Sequence, residues 1–150
     1  MRKTPAMALI GTALATATMV AAPAAVAATG DRPTGVASVR AENKVTASAD
    51  GTTLTVVERI SCEPGWSPAE LDVFVTQGNT SEASDYVIPT IPCDGMTYRV
   101  EVVVPVATGL FQPFRRGPVT ISSQFLVTNV ETGDSAGAHD ARTGRLHVAS

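Results

Sequence analysis

The sequence predicts an all-β domain, an antiparallel immunoglobulin-like β-sandwich of about seven strands. Three observations carry this expectation. Apolar and polar residues alternate with period two in run after run. Turn-forming Gly, Pro and Asp fall between those runs. Beyond the first thirty or so residues, no window holds the i, i+3, i+4, i+7 apolar spacing of an amphipathic helix. A small closed barrel is the alternative arrangement of the same strands.

The runs follow in order. Asp50-Gly51 separates Lys44–Ala49 from Thr53–Cys62 and reads as a hairpin turn. In the second segment Leu54, Val56, Ile60 and Cys62 share one face, and Glu58 interrupts it. A carboxylate on an apolar face is costly, so a bulge or a sheet edge is expected there. Leu71, Val73 and Val75 alternate with Asp72, Phe74 and Thr76, and Tyr98, Val100, Val102 and Val104 alternate with Arg99, Glu101 and Val103. Val119, Ile121, Phe125 and Val127 form another face with Ser123 in register. Asp94-Gly95 precedes the strand near Met96, and Thr132-Gly133-Asp134 leads into the last one. Thr143-Gly144 is expected to make a bulge or short turn within that closing segment.

The N-terminal segment has a different character. Arg2 and Lys3 precede an uncharged stretch rich in Ala and Thr, and Ala25-Val26-Ala27 has the small-x-small form of a cleavage site. Residues 1–27 therefore read as a cleavable, helical signal peptide, 28–34 as a flexible lead-in and 35–150 as the β-domain. The Ala/Thr composition and Pro23 argue against a stable membrane anchor. No Cys follows the cleavage zone to carry a lipid, and the C-terminus shows no sorting tail, so the expected location is extracellular.

Cleavage leaves nine of the eleven basic residues against all fourteen acidic ones, a net charge of −5. That balance opposes nucleic-acid binding, which requires a basic face to neutralise phosphates. Two cysteines, Cys62 and Cys93, remain after processing. An even count in an exported chain predicts a disulfide. There is no C-x-x-C pair and no zinc-type His/Cys spacing. Trp66 lies four residues after Cys62, within Glu63-Pro64-Gly65-Trp66-Ser67-Pro68, which reads as a turn placing the indole over one end of the domain.

Several segments recur in a familiar order: Ala49-Asp50-Gly51-Thr52, Ser61-Cys62, Val73–Gln77, Pro92-Cys93-Asp94-Gly95, and the Gly-x-Phe-x-Pro of Gly109–Pro113. With these the chain resembles small secreted actinobacterial β-sandwich (immunoglobulin-like) proteins of unassigned function, over most of Ala47–Val127. The resemblance implies a sandwich, export and a Cys62–Cys93 bridge, and it supplies no catalytic residues. Phe114-Arg115-Arg116 looks like an insertion relative to that pattern.

The chemistry-bearing residues are sparse. A Ser–His–Asp site needs a base, and the two histidines are His139 and His147. His139 and Asp140 are adjacent in an expected strand, so their side chains leave opposite faces. Glu63, Glu70 and Asp72, and likewise Glu82 and Asp85, cluster in sequence, but they read as a solvated acidic surface rather than a glycosidase pair. Calcium-loop, nucleotide-loop and other cofactor motifs are absent from the sequence. Asn79-Thr80-Ser81 fits the short glycosylation pattern and reads as incidental. The segment Gly109–Pro118 stands apart, with Phe111, Phe114, Arg115 and Arg116 in one loop of an acidic protein. Aromatic and Arg side chains dominate binding hot spots.

The expected role is thus a non-catalytic binding module using that loop, with an extracellular protein, glycan or small ligand as partner. A carrier of a small apolar ligand is the alternative, and a small enzyme or enzyme inhibitor the third reading.

Overall fold

A computed structural model describes residues 35–79, 81–107 and 113–149. The expected signal peptide, the lead-in and Phe111 lie outside the described residues. Seven strands follow one another: β1 (Ala37–Ala47), β2 (Thr53–Cys62), β3 (Trp66–Gln77), β4 (Ser81–Val87), β5 (Tyr98–Pro105), β6 (Gly117–Asn129) and β7 (Ser135–Val148). They form one sheet in the order β4-β3-β6-β7-β1-β2-β5. Its two edge strands come together at one end, where Ala83 of β4 bridges Val106 just after β5 and the Ala107 amide donates to the Glu82 carbonyl at 3.2 Å. The sheet is therefore nearly barrel-shaped.

The expected all-antiparallel pairing is corrected at one seam. β1 and β7 run parallel, with Lys44–Ala47 beside Arg145–Val148. Side-chain alternation dictates which face is buried and carries no information about the direction of a neighbour, so this pair has no signal in the sequence. All other neighbouring pairs are antiparallel.

The alternation places the core. Leu54, Val56 and Ile60 of β2, Leu71, Val73 and Val75 of β3, Val102 and Val104 of β5, and Val119, Ile121, Phe125 and Val127 of β6 are buried together with Leu146 of β7. Burying such side chains contributes roughly 1.5–3 kcal/mol each, and that burial is what fixes each strand's register. Cys62 and Cys93 form the expected disulfide, with their Cα atoms 4.6 Å apart.

One local expectation is met in part, by a bulge on the partner strand, and two change. Glu58 lies on β2, which is an interior strand, and the irregularity falls opposite it, in β1 between Ala41 and Val45. Trp66 is the first residue of β3, paired with Asn129, so the turn ends at Gly65. β3 can begin that early because its own register shift lies between Pro68 and Glu70, where a residue without an N–H is tolerated. Thr143-Gly144 makes neither bulge nor turn, and β7 pairs regularly with β6 through it. Gly144 serves a close approach instead. A Cβ there would sit 2.7 Å from Ile121 Cδ1 and 2.9 Å from the Asn43 carbonyl oxygen, at the seam with β1.

Candidate functional site

The loop entering β6 is held from β3. Gln77, the last residue of β3, faces the backbone of Arg115 with both ends of its amide. Its Oε1 accepts the Arg115 N–H at 2.7 Å, and its Nε2 donates to the Arg115 carbonyl at 2.7 Å and to the Pro118 carbonyl at 3.2 Å. Gly117 turns the chain into the strand at φ +151, a conformation that side chains disfavour. Phe114 is half-buried and packs on the core, which anchors the loop, while Arg115 and Arg116 are exposed. Neither guanidinium is ion-paired among the described residues. Beside the loop's foot is an open recess of about 200 Å³ lined by Thr76, Gly78, Pro118, Val119, Thr120 and Thr143. Of the four loop residues singled out in the sequence, Phe114, Arg115 and Arg116 are thus placed on one tied-down segment.

At the other end the disulfide is reinforced by local hydrogen bonds. The Gly95 amide donates to the Cys62 carbonyl at 2.9 Å. The Asp94 carboxylate accepts the Tyr98 hydroxyl at 2.7 Å and the Met96 N–H at 2.9 Å. These bonds favour its charged form and hold its carboxyl below the ordinary value, the Tyr98 hydroxyl contributing most.

A third group of residues lies in the interior. Glu58 is fully buried. Its Oε1 accepts the Ser123 hydroxyl at 2.6 Å, whereas Oε2 has no hydrogen-bond partner. β2 and β6 are not sheet neighbours, so this bond crosses the interior. Burial pushes the Glu58 carboxyl up to about 7; the Ser123 hydroxyl opposes the shift, the Asp140 charge adds to it and the Arg142 charge opposes it. Asp140 and Arg142 sit two apart on the inward face of β7. Arg142 donates from Nε to Asp140 Oδ2 at 2.6 Å and from Nη2 to Oδ1 at 2.7 Å. Asp140 Oδ2 also accepts the Ala41 N–H at 3.0 Å, so a side chain satisfies a backbone donor where β1 bulges away from regular pairing.

This cluster lacks the parts of a nucleophilic site. Ser123 donates to an acid and has no imidazole beside it. His139 is exposed on the opposite face of β7 from Asp140, as expected, and His147 is exposed near the strand's end. Among the acidic residues considered as pairs, Glu70 and Asp72 share the outer face of β3, and the Asp72 charge raises the Glu70 carboxyl.

Gln77 and Arg142 were not singled out in the sequence, and Asp140 was weighed there only beside His139. Asp140 and Arg142 share parity with Ala138 and Leu146, and that register marks them as inward-facing. Nothing in the sequence marks Gln77, because its role depends on where the loop folds back. No family model matches this chain, and no curated protein matches it either.

Proposed function

We propose that this chain is a secreted, non-catalytic interaction module that presents the loop around Phe114, Arg115 and Arg116 to an extracellular protein, glycan or small ligand. The observation that carries this reading is the Gln77 clamp. It ties the Arg115 backbone through both its N–H and its carbonyl, so two guanidinium groups with no carboxylate partner among the described residues are displayed from a fixed segment. Prior ordering lowers the entropy lost on binding. The recess at the loop's foot adds a shaped surface beside the charges. Export is supported by the N-terminal sequence and by the compatibility of a disulfide with an oxidising compartment.

We read the nearly closed sheet as a flattened, immunoglobulin-like sandwich, with β4, β3, β6 and β7 facing β5, β2 and β1. Two observations support that reading: β1 pairs with β7 only over Lys44–Ala47, and the Glu58–Ser123 hydrogen bond spans the space between the two layers.

The test is capture of partners from culture supernatant and cell envelope by the immobilised domain. A protein, glycan or ligand retained by the wild type is expected to be lost from Arg115→Ala/Arg116→Ala and weakened with Gln77→Ala, while far-UV circular dichroism stays unchanged. Equal capture by the double variant would reject the loop as the binding surface.

A further inference from the structure

Away from that loop, the outer surface at the β1 bulge is basic although the chain is acidic. Arg40 of β1 lies opposite Arg59 of β2, and Arg59 lies opposite Arg99 of β5, which makes a row of three arginines across adjacent strands. All three are exposed. Like charges directly opposite one another weaken strand pairing, so such a row works against the fold unless anions offset it. Part of the offset is internal. Glu42 Oε1 lies 3.2 Å from Arg59 Nη2 and 3.5 Å from Arg99 Nε, and Glu101 Oε1 lies 2.9 Å from Arg99 Nη1. Arg40 has no carboxylate partner among the described residues.

Across the bulge, Arg142 projects from β7. Its guanidinium is fixed by the two hydrogen bonds to Asp140, which leaves its other N–H donors uncommitted and already oriented. Arg40, Arg59 and Arg142, with Ala41, Glu42 and Asn43, line one open groove of about 320 Å³. That volume lies at the small end of the range for small-molecule sites.

We propose that this groove binds a small organic or inorganic anion carrying two or more acidic oxyanion groups. Arg40 supplies donors from β1 at the middle, flanked by Arg142 from β7 and Arg59 from β2. Planar guanidinium forks match carboxylate and phosphate oxygens in pairs. The ligand must be multivalent because a single ion pair at an open surface is weak and because Glu42 already competes for Arg59. The site shares no residue with the Gln77-clamped loop, so the two proposals stand or fall separately.

Calorimetric titration at low ionic strength tests it, with citrate and pyrophosphate as probes and acetate as the monovalent control. The expected result is saturable one-to-one binding of at least one probe, weakened about tenfold in Arg40→Gln. Whichever probe saturates identifies the carboxylate or phosphate source. Arg115→Gln/Arg116→Gln is expected to bind as the wild type does. Arg40 is exposed and has no carboxylate partner among the described residues, so its variant keeps the fold, which circular dichroism verifies; Arg142→Gln serves as a second variant. No saturation with either probe, or binding unchanged in Arg40→Gln, overturns the assignment.

Discussion

Glu58 is the residue whose environment departs furthest from its preference. It occupies a core position, yet one carboxyl oxygen is left without a partner. The folded state holds the proton up to about pH 7, while the unfolded chain releases it near 4.5. Between those values the folded state binds more protons, so the contribution of Glu58 to stability falls as pH rises from about 4.5 through 7 and is level above that. The span corresponds to roughly 3 kcal/mol. Asp94 shifts in the opposite direction and acts only at more acidic pH, which separates the two effects. In urea unfolding across pH 5 to 8, the wild type is expected to lose stability with rising pH, and Glu58→Gln to flatten that slope and be the more stable protein at pH 8. A parallel slope in both proteins would show that the carboxyl does not titrate in this window.

At the scale of the strand, β7 joins two different surroundings. It pairs with β6 along nearly its whole length and with β1 only at its end. Gly144 lies where both neighbours press closest. In Gly144→Ala the new methyl would meet Ile121 and the Asn43 backbone, and backbone cannot yield as a side chain tip can. The expected cost is roughly 1–3 kcal/mol, seen as a lower midpoint in thermal unfolding. An unchanged midpoint would mean that the seam is looser than described. The same strand shows where the sequence was legible. β6 was plain, because Val119, Ile121, Phe125 and Val127 alternate without interruption around Ser123. β7 was not, because its inward positions before Leu146 are Ala136, Ala138, Asp140, Arg142 and Gly144, small or charged residues serving an ion pair and a close approach. The first half of β1 was missed for a similar reason: of its inward residues Ala37, Val39 and Ala41, two are alanines that carry little apolar signal. Of the candidate sites, the Phe114–Arg116 loop was visible from composition alone. The Glu58 cluster showed only as a break in an apolar face, since its partners come from distant strands.

For the whole molecule, the sheet order makes β7 the link between two sets of strands. β4, β3 and β6 lie on one side of it, and β1, β2 and β5 on the other. The outer strands also meet at one end, through the Ala83–Val106 bridge and the Ala107–Glu82 backbone hydrogen bond. The disulfide, spanning 31 residues, adds roughly 3–4 kcal/mol by restricting the unfolded chain, but it joins β2 to the segment before β5 and does not tie the two sets together. A chain ending at Asp134 is therefore expected to show no cooperative unfolding transition by near-ultraviolet circular dichroism, even with the disulfide formed. A sharp transition in that truncation would place the main cohesion elsewhere.

The parallel seam between the first strand and the last has a kinetic corollary. As the polypeptide emerges from a ribosome, Lys44–Ala47 must wait about a hundred residues for its partner Arg145–Val148. Until then the early strands expose an unfinished flank. Closure then comes late and in one step, once the final strand is free to dock.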